Sequence, residues 1–221
     1  MGRVVLFSDT HGFHHRITLP EADIAIFAGD FSGRGTLADA KRFLDWYSNQ
    51  SQCTHKLAIA GNHDLCLDPE RQDPYSKEWI SQTLEEYPGV RFLENESITI
   101  DGIKIWGSPI TPDFYPEYWA FNKPRGKEIA EVWSKIPDDA GIVVTHGPVH
   151  GILDRTFTGV NAGCKDLRDR LEQVQPKLHV CGHIHEAYGV QKIGSTTYVN
   201  ASVCDLEYYP INLPVVFELF G

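Results

Sequence analysis

The chain has 221 residues, 42% hydrophobic and 23% charged, which describes a folded globular protein and excludes a disordered or fibrous one. Against 20 basic residues stand 30 acidic ones, and the net charge of −10 excludes the basic face that stable duplex nucleic-acid binding needs. An odd count of five cysteines without a CxxC pair speaks against a disulfide framework, and no apolar run approaches the ~20 residues of a membrane span.

Val4–Phe7 is a short apolar run that reads as a buried strand, and it ends in Ser8-Asp9-Thr10-His11-Gly12. Ile24–Ala28 repeats the pattern and ends in Gly29-Asp30. Leu37–Tyr47 follows a helical period, with Leu37, Ala40, Phe43, Leu44 and Tyr47 on one face and Asp39, Lys41 and Asp45 opposite. A third strand, Leu57–Ala60, runs into Gly61-Asn62-His63-Asp64, and Tyr75–Tyr87 reads as a second helix. Ser97–Ile100 and Ile103–Trp106 flank Asp101-Gly102, a pair suited to a type I′ hairpin turn. Gly126–Lys135 has helical period, and Ile142–Thr145 is a fourth strand that ends at His146-Gly147. Cys164–Val174, with Leu167, Leu171 and Val174 on one face, precedes a fifth strand, Leu178–Cys181, which ends in Gly182-His183-Ile184-His185. Gly189–Ile193 and Thr196–Asn200 form a second hairpin around Gly194-Ser195, and Val215–Leu219 reads as an edge strand.

This order fits two sheets with helices outside them better than one doubly wound sheet. No repeat or linker interrupts the chain, so residues 1–221 are expected to form one domain. The long connections Asp64–Pro74, Pro109–Arg125, Val149–Gly163 and Cys204–Pro214 are of the length that usually carries function. No charged segment followed by an apolar one opens the chain, and Cys53, Cys66, Cys164, Cys181 and Cys204 read as reduced structural residues. A cytoplasmic location follows as the expectation.

Five strand ends carry the chemistry. Ligands of open α/β sheets bind beyond the carboxyl ends of the strands, so Asp9, His11, Asp30, Asn62, His63, His146, His183 and His185 are expected to meet at one rim. Carboxylates, imidazoles and one amide are the donors that hold two divalent cations side by side. Asp9-x-His11 and His183-x-His185 each place two donors on one side of an extended segment. Asp30 has two oxygens and can serve both cations, and Asn62 offers a neutral carbonyl oxygen. His63, next in the chain, is expected to face the substrate, binding it or protonating a leaving oxygen, with Asp64 hydrogen-bonded to its ring. His14, His15, His55, His150 and His179 read as surface or structural residues. No Ser or Cys has a nucleophile's setting and no Walker-type loop is present.

The series DxH, GD, GNHD, THG and GHxH resembles the calcineurin-like metallophosphoesterase superfamily over essentially the whole chain. From Gly163-Cys164 through Thr197-Tyr198-Val199-Asn200-Ala201-Ser202 it is similar to the branch holding the metallophosphoesterase-domain proteins of animal brain and the bacterial class III cyclic-nucleotide phosphodiesterases. The resemblance implies a four-layer α/β/β/α sandwich, with two central mixed sheets flanked by helices. It implies that Asp9, His11 and His185 hold one metal, that Asn62, His146 and His183 hold the other, and that Asp30 bridges them. Some members have Gly for the first His of GHxH and are weak enzymes, whereas this chain keeps His183. Two divalent ions are implied, manganese first, with iron and zinc as alternatives. A metal-bridging water or hydroxide would attack phosphorus. The implied partner is a small phosphodiester or nucleotide, a cyclic nucleotide foremost. A phosphomonoesterase, a single-strand or terminal nuclease and a metal-binding scaffold stay open, as does a homodimer. In Pro109–Arg125, Phe114, Tyr115, Tyr118, Trp119 and Phe121 with Lys123 and Arg125 either stack a base and steer a phosphate, or pack the loop or a dimer contact. Arg155 shares that ambiguity.

Overall fold

Strand β1 (Arg3–Phe7) runs parallel to β2 (Ala22–Ala28), and β2 parallel to β3 (Cys53–Ile59), pairing Val4 with Ile24 and Ile24 with His55. The computed structural model describes residues 2–71 and 82–219. A three-residue strand β4 (Val90–Phe92) extends this sheet beside β3. A second sheet contains the hairpin of β5 (Glu96–Ile100) and β6 (Ile103–Ser108), in which five pairs from Glu96–Gly107 to Ile100–Ile103 lie in the register that the two-residue Asp101-Gly102 turn requires. Asp101 and Gly102 have φ of 49° and 80°, the positive pair of a type I′ turn. A minor parallel pair, β7 (Thr111–Pro112) and β8 (Asn122–Lys123), closes the loop that follows. The second sheet continues through β9 (Ile142–Thr145), β10 (Leu178–Cys181), β11 (Gly189–Ile193) and β12 (Thr196–Asn200), in the order β11-β12-β10-β9-β6-β5. Strand β13 (Val215–Glu218) returns antiparallel to β1 and edges the first sheet, whose order is β13-β1-β2-β3-β4.

Strand alternation sorts the apolar side chains into layers. Val4, Leu6, Ile24, Ile26, Ile142, Val144, Leu178 and Val180 form one cluster, contributed by both sheets and lying between them. Their neighbours Val5, Phe7, Ala25, Phe27 and Val143 belong to a second cluster with the helices. Helix α1 (Leu37–Ser48) buries Ala40, Phe43, Leu44 and Tyr47 against the first sheet, where the Tyr47 hydroxyl reaches Ala25 O at 2.9 Å and Leu57 O at 3.0 Å. Leu37, the first residue of the helix, is 41% exposed and does not join that face. Helices α2 (Lys127–Trp133) and α3 (Lys165–Val174) cover the second sheet with Ile129, Trp133, Leu167 and Leu171. Trp133 meets Trp106 of β6 edge to face at 6.2 Å. The result has the two sheets with outer helices expected from the order of elements, and is the α/β/β/α sandwich that the family resemblance implies.

The segments not legible from periodicity are β4, β7 and β8, each too short to display a period of two. Of the expected helix Tyr75–Tyr87, residues 82–85 are helical and residues 75–81 lie outside the described ones. All five cysteines are buried and free. Among the described residues, no helix is long and apolar enough to cross a membrane.

Helix α1 begins with a reciprocal cap: Asp39 N–H donates to Thr36 Oγ1 at 3.2 Å, and Thr36 N–H donates to Asp39 Oδ2 at 3.1 Å. Thr36→Ala removes one half of it far from the rim. It is expected to cost about 1 kcal/mol and lower Tm by about 2–4 °C in a thermal melt, with metal content unchanged.

Candidate metal centre

The carboxyl ends of β1, β2 and β3 and those of β9 and β10 share one rim of the sandwich, and backbone bonds lock them there. Asp9 N–H donates to Gly29 O at 2.9 Å, and Gly182 N–H donates to His146 O at 2.9 Å. The two sheets are tied across the rim as well, for His183 N–H donates to Asp9 Oδ2 at 3.0 Å and Val203 N–H donates to Ser8 O at 2.9 Å. Four donor residues sit in the left-handed region: Asp9 (φ 54°), His11 (42°), Asp30 (60°) and His183 (69°). Such values are uncommon and costly in residues other than glycine and gather at functional sites. Glycine is required between them by close approach. A Cβ on Gly61 would lie 2.2 Å from Asp30 Oδ1, and one on Gly182 would lie 2.0 Å from Asp9 Oδ2.

All seven expected donors converge. Asp9, His11 and His185 offer one atom each, all within 4.8 Å of one another, with His185 Nε2 3.3 Å from Asp9 Oδ1 and 3.1 Å from His11 Nε2. Asn62 Oδ1 lies 3.0 Å from His146 Nε2 and 2.8 Å from His183 Nδ1. Asp30 Oδ2 stands between the two groups, 3.3 Å from His146 Nε2 and 3.9 Å from His11 Nε2. The second nitrogens explain why these contacts call for cations. His11, His146 and His185 each direct Nδ1 at a backbone carbonyl, of Ser32 at 3.0 Å, Ala28 at 2.8 Å and Asp205 at 2.8 Å. A carbonyl only accepts, so the proton of a neutral ring stays on Nδ1 and its Nε2 presents a lone pair. With these rings neutral, two such lone pairs would face each other across 3.1 Å between His11 and His185, and another would face the Asn62 carbonyl oxygen. A divalent cation is the partner that suits both groups.

Electrostatics agree. Asp9 is 0% and Asp30 2% exposed. Burial opposes their ionisation, yet the imidazoles of His185 and His146 hold both carboxyls below the ordinary carboxylate range. Burial would depress His146 and His185 in turn, but Asp30 and Asp9 override it and lift each to about 9. His11 and His183 lack so close a carboxylate, and burial takes them down to about 4 and about 3. Protons on two of the four rings thus stand in for positive charge that the buried carboxylates demand.

His63 lies at the edge of the cluster, where it offers a donor atom within 4.8 Å of those of His11 and Asp30. Its Nδ1 approaches Gly33 O at 3.2 Å, its backbone N–H donates to Asp30 Oδ1 at 2.8 Å, and its ring lies under Trp119 at 4.2 Å. The expected bond from Asp64 to the His63 ring is not formed. The Asp64 carboxylate turns the other way and accepts from the backbone N–H groups of Gly61, Asp30 and Ser32 at 2.8, 2.9 and 3.1 Å. It therefore braces the two loops that carry Asp30 and Asn62, because three backbone donors outbid one ring for a buried acceptor.

A cavity of about 210 Å³ opens above the donors, lined by Asn62, His63, Phe114, Trp119, His183 and Tyr208 among others. Of the aromatic loop, Phe114 and Trp119 reach this cavity, Phe121 packs into the core, and Tyr115 and Tyr118 are exposed. Lys123 pairs with Glu70, and Arg125 donates to Gly163 O and Ala162 O, so both cations fasten loops rather than face the cavity. Two contributors escaped the sequence reading. Ser202 Oγ donates to Asp9 Oδ2 at 2.9 Å, and Tyr208 packs edge to face on His11 at 4.6 Å. The length of the 204–214 connection was the one signal pointing to the latter.

The family model described as calcineurin-like phosphoesterase matches residues 2–187. Metallophosphoesterase domain-containing protein 1 of Homo sapiens is 41% identical over 98% of this chain and 71% of the human protein, and its Mus musculus counterpart gives the same values. Among solved structures, phosphopantetheinyl hydrolase from Mycobacterium tuberculosis superposes with a TM-score of 0.66 over 96% of this chain and 95% of that one, at 16% identity, a likeness of fold. With a matched family model over most of its length and a relative this similar along nearly all of it, the chain belongs to the calcineurin-like phosphoesterase family and is a metal-dependent phosphoesterase.

Proposed function

We propose that this protein hydrolyses small phosphodiesters, cyclic nucleotides (2′,3′ or 3′,5′) foremost, in the cytoplasm. The observation that carries the metal chemistry is the pair of inward-facing donor groups with Asp30 between them. In this reading Asp9, His11 and His185 hold one divalent ion, Asn62, His146 and His183 hold a second, and Asp30 serves both. Oxygen and imidazole donors of this kind suit manganese, and accept iron or zinc. Such a pair supplies an acidified water and neutralises the phosphoryl oxygens.

The chain's own residues do the rest. His63 is the proton donor: with Nδ1 turned to Gly33 O, its Nε2–H passes a proton to the departing ester oxygen and the ring is left neutral. Trp119, tilted against the ring at 4.2 Å, and the Asp30 bond to its backbone keep that ring in place. Asn62 and His63, at the cavity floor, contact the phosphoryl group. Phe114 and Trp119 give the ester substituent an apolar wall, and the small volume favours a compact ester over a duplex. Those two rings support the nucleotide reading, since any base offers a face to stack.

The deciding experiment is manganese-supplemented hydrolysis of bis-p-nitrophenyl phosphate against p-nitrophenyl phosphate, with Asn62→Ala as the control for contaminating activity. Preference for the diester, lost in the variant, is expected. Preference for the monoester would make the protein a phosphatase, and no turnover with any metal would leave a scaffold. Asp30→Ala is expected to lose both ions by elemental analysis; a variant that keeps two would refute the bridging role. His63→Ala is expected to retain two ions while kcat falls by about 10²–10⁴-fold. A collapse of its metal content would instead make His63 a ligand.

A further inference from the structure

The connection between β12 and β13 does more than join two strands. Its residues 205–209 form a tight turn closed by Asp205, whose Oδ1 accepts from Glu207 N–H at 3.0 Å and from Tyr209 N–H at 2.8 Å. Asp205 N–H donates to Tyr209 O at 2.9 Å, and Tyr208 N–H donates to Asp205 O at 3.1 Å. That same carbonyl oxygen receives His185 Nδ1 at 2.8 Å, so the turn is anchored directly on the metal-centre histidine. At its tip Tyr208 is held at φ 64°, a conformation unfavourable for a bulky aromatic residue. Strain of this kind persists only where the surroundings over-determine it, and it points from the outlier towards a role.

The strained backbone delivers the Tyr208 ring to the centre. The ring meets His11 at 4.6 Å and 88°, His185 at 5.5 Å and 87°, and His63 at 6.0 Å and 60°. A side chain serving only to pack would be enclosed by these contacts, yet Tyr208 is 42% exposed and lines the cavity with Phe114 and Trp119. Phe114 and Trp119 lie nearly parallel, 6.4 Å apart at 20°, on a different loop. Two independent loops therefore bring aromatic surface to one small cavity over the donors.

We propose that Tyr208 is a specificity-determining residue that grips a planar ring on the ester substituent, so that the site selects phosphoesters carrying an aromatic or heteroaromatic group. This rests on the phosphoesterase reading of the same centre and adds the residue that selects the ester substituent. The grip comes from the ring of Tyr208 and not from its hydroxyl. Stacking of a ligand ring on an aromatic side chain is worth about tenfold in affinity.

The test is calorimetric binding of phenylphosphonate and methylphosphonate, which cannot be hydrolysed, to the manganese-loaded protein. Tyr208→Asn is the informative variant because asparagine tolerates positive φ and leaves the turn intact. Wild type is expected to favour phenylphosphonate by about tenfold. Tyr208→Phe should keep that ratio, and Tyr208→Asn should bring it close to one with the same manganese content by elemental analysis. A ratio near one in wild type, or one that survives in Tyr208→Asn, overturns the proposal. Loss of manganese in Tyr208→Asn would also overturn it, by showing that the ring merely supports His11 and His185. Absence of turnover with the ratio intact would count against the phosphoesterase reading alone.

Discussion

Two carboxylates, Asp9 and Asp30, are buried at the seam of the sandwich with no lysine or arginine against them among the described residues. Charge placed in such surroundings is costly unless positive charge and hydrogen-bond donors come with it. The neighbours that answer this demand are imidazoles and backbone N–H groups. His185 and His146 take up protons with pKa values near 9, and the N–H groups of His183 and His63 donate to the two carboxylates. Divalent cations satisfy the same demand more fully, so binding them and stabilising the fold are one process.

The sandwich makes this possible by separating layers along each strand. Between the sheets lie Leu6, Ile26, Val144 and Val180, part of a buried apolar layer that extends to Ala28 and Ile59 at the ends of β2 and β3. The polar residues begin where hydrogen-bonded pairing ends, and the chain there accepts left-handed conformations at Asp9, His11, Asp30 and His183. Those kinks turn side chains inward that a regular strand would splay to alternate faces. Asp64 and Ser202 hold the kinks in place, Asp64 from beneath the Asp30 and Asn62 loops and Ser202 by bonding Asp9 from β12's end.

Around this rigid floor the long connections set what enters. The aromatic loop contributes Phe114 and Trp119, and the connection after β12 contributes Tyr208. His63 lies where the floor meets these walls, bonded through its backbone to Asp30 and packed at a tilt against Trp119. His63, the carboxylate and imidazole cluster and the aromatic walls are thus mechanically linked through Asp30 and Trp119.

Much of this was legible from the amino-acid sequence. Apolar runs a few residues long, bounded by glycine and polar residues, marked β1, β2, β9 and β10, and the helical period marked α1 and α3. Donor type and position at strand ends singled out Asp9, His11, Asp30, Asn62, His146, His183 and His185, because strand, turn and donor chemistry are local properties of a few consecutive residues. Short segments such as β4 carried too few residues for a period to register. Other features depended on contacts between residues far apart in the chain. Asp64 next to His63 suggested a bond between them, but the tertiary structure gave its carboxylate to the backbone of Asp30 and Ser32, more than 30 positions away. Ser202 reaches Asp9 across 193 positions, and Tyr208 reaches His11 from the far end of the chain. Sequence alone determined which side chains can hold metals; only the folded chain decided which partners orient them and which rings overhang them, since those choices are settled by competition among groups that meet in space and not along the chain.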